Sequence, residues 1–178
     1  MSRIIVPAIE TATGATADVY AQIKKAAGKV PNAYADLGAL EPAGLKAMLA
    51  ADAALTVSSL SKQDRETVKL VVSVVAECDY CVAAHSYLGK LAGLTPDVLR
   101  QIRSGEPTAD TRRDALIRFV RNLAQGSGTL SDAAFAEIRA AGYSDAQLAD
   151  ISLAFAVITF TNIFNRINDP TVDFPAVA

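Results

Sequence analysis

Both cysteines of this chain and its single histidine fall within eight positions, in the segment AECDYCVAAH at 76–85. Cys78 and Cys81 are three residues apart, and Cys81 and His85 are four apart. On a helix these intervals line the three side chains up along one stripe. Cys-X-X-Cys spacing also lets two sulfurs close a disulfide when the first cysteine sits at a helix start. Unpaired backbone N–H groups and the helix dipole favour a thiolate there, and the thiolate is the nucleophilic form of the side chain. His85 is spaced to take or relay the thiol proton, directly or through water. The chemistry to expect is redox chemistry of a cysteine pair, acting on peroxides or on disulfides.

Blander readings compete with this one. A single buried cysteine is usually a small apolar core residue. Cysteine and histidine are zinc ligands, but a structural site takes four, and only three such residues are present. No metal, flavin or haem is required by the cysteine chemistry. The first residues, MSRIIVPAIE, lack the basic segment and apolar run of a signal peptide. A cytoplasmic setting follows as the expectation, and thiols stay reduced there unless catalysis oxidises them.

The elements that would position these residues read as helices. Asn-Gly and Asp-Gly hairpin signals are absent, alanine is abundant, and prolines sit at segment edges. Start and stop signals divide the chain. Ala17–Ala27 follows Thr16 as cap and ends at Gly28. Asn32–Leu40 follows Pro31, and Ala43–Val57 follows Pro42. Ser61 caps the next helix, with Asp64 placed to meet the helix dipole. That helix runs to about Ala76, and Val68, Val71, Val72 and Val75 form its apolar stripe. The valines would also suit a strand, but the Ala-rich surroundings favour helix. Cys78–Leu91 comes next, then Thr95-Pro96 opening a helix to Arg103. Thr111–Ala124, a short helix capped by Ser131, and a long one from Asp145 to Ile167 complete the set. Ser144 and Gln147 form a capping box for the last. Its segment ISLAFAVITFTNIF is apolar on nearly every face, so it is expected to be buried all round, inside the domain or under a neighbouring subunit. The tail 171–178 reads as irregular.

Composition bounds the alternatives. The chain has 178 residues, which fits a single domain over 1–178 with its core at about 30–170. A net charge of −2, from 17 basic and 19 acidic residues, gives no general attraction to nucleic acid or anionic membrane. Arg100, Arg103, Arg112, Arg113, Arg118 and Arg121 alternate with Asp97, Glu106, Asp110 and Asp114, a pattern of solvated helix faces. No run reaches the ~18 uncharged apolar residues of a membrane span. Hydrophobic residues make up 51%, with a mean hydropathy of +0.25, and that surplus points to subunit association.

The pattern Cys-X-X-Cys-X-X-X-His, with Arg65-Glu66 twelve residues upstream of the first cysteine, resembles the alkylhydroperoxidase D-like branch of the carboxymuconolactone decarboxylase superfamily. The flanks VPNAYADLGALEPAGLKAML at 30–49, SLSKQDRE at 59–66, GKLAGL at 89–94 and TFTNIFNRINDPTVDFP at 159–175 are similar too. The resemblance implies an all-α domain that associates as trimers or hexamers. It implies a cysteine peroxidase in which Cys81 attacks peroxide, Cys78 resolves the sulfenic acid, and His85 with Glu66 forms a proton relay. An external dithiol would recycle the pair. Two other activities use the same scaffold: a thiol–disulfide adaptor, and a small-molecule decarboxylase to which the cysteines are incidental. Two positions depart from the pattern. Tyr80 stands where some members have histidine, and Glu77 puts a negative charge next to Cys78, which would oppose thiolate formation if it pointed at the sulfurs.

Overall fold

A computed structural model describes residues 2–177. Among them it contains nine α-helices and no strand: α1 Gly14–Ala27, α2 Asn32–Leu40, α3 Pro42–Thr56, α4 Lys62–Val75, α5 Asp79–Leu91, α6 Pro96–Ser104, α7 Thr111–Gln125, α8 Asp132–Ala140 and α9 Asp145–Asn168. The all-α expectation holds, and the valine run is helical. Side chains of Ser61, Thr95, Asp110, Ser131 and Ser144 accept backbone N–H bonds at the starts of their helices, and Ser144 with Gln147 closes the capping box. These caps satisfy donors that a helix start otherwise leaves open. The first helix is the exception. It begins at Gly14 after Thr13, not at Ala17 after Thr16, and the Thr16 hydroxyl donates to the Gly38 carbonyl at 3.2 Å.

The centre of the molecule is α4, packed against α5, α7 and α9. Val68, Leu70 and Val71 are fully buried. More of α4 is enclosed than the valine stripe foretells, because Thr67, Lys69 and Ser73 are buried as well. Their polar groups are satisfied internally: Lys69 pairs with Asp52 of α3, and the Ser73 hydroxyl donates to the Lys69 carbonyl at 2.7 Å. A second apolar cluster joins α1, α2 and α3 through Val19, Tyr20, Ile23, Leu37, Leu45 and Met48.

Two expectations are corrected. The basic stretch is not simply solvated. Arg112 donates to the buried Asp64 at 3.1 Å and lies 3.9 Å over the Tyr143 ring, while Arg113 donates to Gln63 at 2.9 Å. Both arginines lie across the start of α4 and clamp α7 to it. Arg100 and Arg118 do form exposed pairs, with Glu106 and Glu137. The second correction concerns α9, which is not buried all round. Phe160, Ile163 and Ile167 face outward, Ile163 and Ile167 at 57% exposure. By length and a mean hydropathy of 1.5 over its most apolar window, α9 meets the compositional test for a membrane span that the uncharged-run criterion had excluded. Its inner face changes character along its length. Ile151, Ala154 and Ile158 give way to Thr161, Asn162, Asn165 and Asn168, all buried. The apolar residues of the second half point away because the interior there is polar.

After α9 the chain turns back across the α2 start and α5. This tail has no regular structure, as expected, but it is tied down. Asn32 Nδ2 donates to the Thr171 carbonyl at 2.9 Å, and Lys29 Nζ donates to Asp173 Oδ2 at 2.8 Å.

The core assignment is testable. Leu70→Ala should cost about 2–5 kcal/mol, as buried leucine truncations do, read as a lower urea midpoint at unchanged slope. Val57→Ala, at an 88% exposed position, should change stability by no more than about 0.5 kcal/mol.

Candidate active site

A turn without a loop delivers the cysteines. Ala76 ends α4, Glu77 adopts a left-handed conformation at φ 52°, and Cys78 begins α5 as its N-cap. Cys78 N–H donates to the Ser73 carbonyl and Glu77 N–H to the Val74 carbonyl, each at 3.1 Å. That is the Schellman arrangement, completed here with Glu at a position where glycine is usual. The Cys78 sulfur then accepts the backbone N–H of Cys81 at 3.4 Å. A sulfur thus occupies the place of a capping oxygen, at the positive end of α5.

The two thiols are buried, Cys78 at 2% and Cys81 at 3% exposure, and both are free. They differ in electrostatic surroundings. Cys78 is held below its ordinary thiol pKa, chiefly by a hydrogen bond from the Cys81 thiol. The Cys81 backbone N–H, the Asn165 amide and the Arg166 charge add to this against the opposing effect of burial. Cys81 is pushed up, first by that same hydrogen bond to Cys78, then by burial and by the charge on Cys78, with Asn165 opposing. Of the two sulfurs, Cys78 is thus the one biased toward thiolate and Cys81 the one biased toward keeping its proton. Asn165 Nδ2 lies 3.2 Å from the Cys81 sulfur, and the Asn165 side-chain oxygen is buried with no hydrogen-bond partner.

Glu66 and His85 meet from neighbouring helices, with Glu66 Oε2 at 2.8 Å from His85 Nδ1. Their side chains are only 15% and 12% exposed. Burial opposes ionisation of Glu66, but His85, Lys69 and Arg65 outweigh it, and its carboxyl lies below the ordinary range. With Nδ1 donating to a carboxylate, Nε2 is the nitrogen of the ring left for proton exchange. A Cβ at Gly89 would come within 2.8 Å of a Leu99 side-chain carbon and 3.2 Å of one of Leu94, so the bare backbone serves the packing of α5 against these leucines, while the Glu66 Cβ lies at an ordinary contact distance of 3.8 Å. Among the described residues no hydrogen bond joins His85 to either sulfur.

Cys81 and His85 both line a cavity of about 640 Å³, whereas Cys78 does not. Tyr34, Tyr87, Leu88, Thr161 and Phe174 line it too, as does Asn165, whose amide lies beside the sulfur. Glu77 points away from this site. Its side chain is exposed and lies 4.0 Å from Arg166, which offsets its charge. Tyr80 neither bonds a cysteine nor only packs: its hydroxyl accepts from Ala33 N–H at 3.2 Å and donates to Asp173 Oδ1 at 2.7 Å. Among the described residues no three His, Cys, Asp or Glu side chains converge as a metal site requires.

The structure thus brings Cys78, Cys81, His85 and Glu66 into one region. Sequence reasoning had not singled out Asn165, Tyr34, Asp173 or Phe174. A signal for the first was present: Asn162, Asn165 and Asn168 recur every third residue within an apolar helix, which marks a polar seam on one face.

Residues 42–120 match the model of the carboxymuconolactone decarboxylase family. No curated protein matches the chain by sequence. Among solved structures it is similar to an uncharacterised peroxidase-related protein with an alkylhydroperoxidase AhpD core from Ralstonia eutropha JMP134, at 24% identity over 97% of this chain and 92% of that one, TM-score 0.83. A peroxidase-related protein from Silicibacter sp. TM1040 is similar at 22% identity over 97% and 93% of the two chains, TM-score 0.81. So is a variant of the debrominase Bmp8 in complex with 2,3,4-tribromopyrrole, at 15% identity over 97% and 93%, TM-score 0.81. At these identities the likeness carries the fold. The segment that matches the carboxymuconolactone decarboxylase family model holds both cysteines, His85 and Glu66, and the chain as a whole has the alkylhydroperoxidase D-like fold.

Proposed function

We propose that the chain is a thiol peroxidase that reduces hydrogen or organic peroxides at Cys81. The observation that carries this reading is the asymmetry of the pair: the sulfur that opens on the cavity is hydrogen-bonded to a second sulfur that is biased toward thiolate. Passing the Cys81 proton to Cys78 along that bond places the negative charge on Cys81, beside the cavity. The Cys81 thiolate attacks the terminal peroxide oxygen, the O–O bond breaks, and Cys81 becomes a sulfenic acid. The departing alkoxide takes a proton delivered by the His85–Glu66 pair or its water. Cys78 then displaces hydroxide from the sulfenic acid, its own proton completing a water molecule, and a disulfide forms before further oxidation. An external dithiol reduces the disulfide by exchange and becomes a disulfide itself. In sum, peroxide and dithiol yield alcohol, water and a disulfide.

Burial weighs against the adaptor alternative. A protein disulfide must bring its own backbone up to the attacking sulfur, and both sulfurs here are nearly inaccessible except through the cavity. A decarboxylase reading leaves the paired thiols without a task. The same peroxidase reading carries self-association, for which the outer face of α9 around Ile163 is the candidate surface.

Under this mechanism Cys81→Ser abolishes peroxide consumption, while Cys78→Ser leaves a single turnover; steady turnover by Cys81→Ser would refute it. Asn165 acts as a positioning residue for the thiolate. Replacing it with alanine removes a hydrogen bond to a charged sulfur, worth about 1.5–3 kcal/mol. The pH midpoint of alkylation by iodoacetamide should rise, and kcat/KM at neutral pH should fall by roughly tenfold or more. An unmoved alkylation profile would remove Asn165 from the mechanism.

A further inference from the structure

If peroxides are the substrates, the cavity is far larger than hydrogen peroxide requires. A water molecule takes up about 30 Å³ in the liquid, against a cavity of about 640 Å³. Its polar lining includes His85, Thr161 and Asn165, the last with its amide 3.2 Å from the Cys81 sulfur. Tyr34, Tyr87, Leu88, Leu91 and Phe174 add aromatic and aliphatic surface to its wall. The charged groups there cancel one another, because Lys29 pairs with Asp173 at 2.8 Å. No unpaired charge is offered to an ionic tail, so the lining suits a neutral apolar body carrying one polar end.

Phe174 comes from the C-terminal tail, which is held in place by the cysteine segment itself. Asp173 Oδ1 accepts the hydroxyl of Tyr80, the residue just before Cys81, at 2.7 Å. The same oxygen accepts Asn32 N–H at 3.4 Å, while Oδ2 takes Lys29. Burial opposes ionisation of this carboxyl, but Lys29 and Tyr80 hold it below its ordinary range. Next along the chain, Phe174 stands edge-on to Tyr80, with ring centroids 5.6 Å apart at 87°. Tyr87 lies 6.1 Å away on another side, and the Lys29 ammonium is 5.4 Å over the Phe174 ring. A ring fixed on these sides presents a rigid apolar surface to whatever enters.

We propose that Phe174, latched by Asp173 to Tyr80 and Lys29, is a specificity-determining wall, and that the site selects uncharged hydroperoxides bearing an aromatic or similarly compact apolar group. This rests on the peroxidase reading and adds to it the class of peroxide and the residue that chooses it. In the bound state the hydroperoxide end reaches Cys81 while the apolar group packs against Phe174 and Tyr34. The latch keeps the wall at a set distance from the sulfur, because Tyr80 belongs to the same helical turn as Cys81.

The test is steady-state kinetics with cumene hydroperoxide, tert-butyl hydroperoxide and hydrogen peroxide, together with calorimetric binding of the product alcohol 2-phenyl-2-propanol. The wild type should show kcat/KM at least roughly tenfold higher for cumene hydroperoxide than for hydrogen peroxide, since burying a phenyl group contributes on the order of 1.5–3 kcal/mol. Phe174→Ala should raise KM for cumene hydroperoxide roughly three- to tenfold, the range of an aromatic contact, and weaken alcohol binding to match. Its kcat/KM for hydrogen peroxide should fall several-fold less than that for cumene hydroperoxide, because only the larger substrate loses a contact with the ring. Phe174→Leu should recover part of the loss. Equal use of all three peroxides, or a Phe174→Ala effect that is the same for each, would overturn the specificity proposal and leave the peroxidase reading standing. Tight binding of the alcohol without turnover of any peroxide would instead overturn the peroxidase reading, with the wall still supported by the binding data.

Discussion

Cys78 closes one helix and caps the next. Its backbone N–H completes the Schellman turn of α4, and its sulfur accepts the Cys81 N–H, one of the open donors in the first turn of α5. Only Glu77 stands between the two caps, so the geometry of the turn is also the geometry of the site. The relation between Glu66 and His85 follows from it. Glu66 stands twelve residues before Cys78 and Gly89 eleven after, and the two lie at one level where α4 and α5 run side by side. Glu66 reaches His85, which is one helical turn nearer the cysteines than Gly89. Inserting a residue at 76–77 would rotate and shift every one of these relations.

The polarity of the interior follows the same centre. A bundle core is ordinarily apolar along its whole length, yet α9 turns polar inside where it passes the cysteines. Asn165 contacts Cys81, Asn162 accepts from Ser73 at 3.3 Å, and Asn168 donates to the buried Asp36 at 2.6 Å. Two of these amides keep an unpartnered buried atom, Asn162 Nδ2 and Asn165 Oδ1. Such groups cost stability unless something compensates. Their concentration beside the sulfurs marks a place where packing has been traded for electrostatics, which is where function usually resides.

Much of this was legible in the amino-acid order, for identifiable reasons. The stripe of Cys78, Cys81 and His85 is a local property of one helix, so spacing alone reveals it. Helix starts were legible for the same reason, since a cap and the N–H it accepts lie within three residues of each other. Glu66 was reachable only through resemblance, because its pairing with His85 depends on how two helices pack. The tail was the least legible part. Asp173 acts through residues 93 and 144 positions away, Tyr80 and Lys29, and no periodicity connects them. Arg112 misled for a related reason: alternating charge reads as surface, and only tertiary structure places the buried Asp64 beneath it.

The sulfur cap has a thermodynamic consequence. A thiolate that closes a helix stabilises the reduced protein, and a disulfide sulfur, carrying no charge, gives that stabilisation up. For a two-electron couple about 30 mV corresponds to about 1.4 kcal/mol, which is also the worth of roughly one pKa unit. Each increment by which the cap and Asn165 favour the charged sulfur thus moves the reduction potential of the pair upward. Under the proposed peroxidase cycle, the arrangement that readies the nucleophile would also make the oxidised form easier to reset, so that a weak dithiol would suffice to return the protein to its starting state.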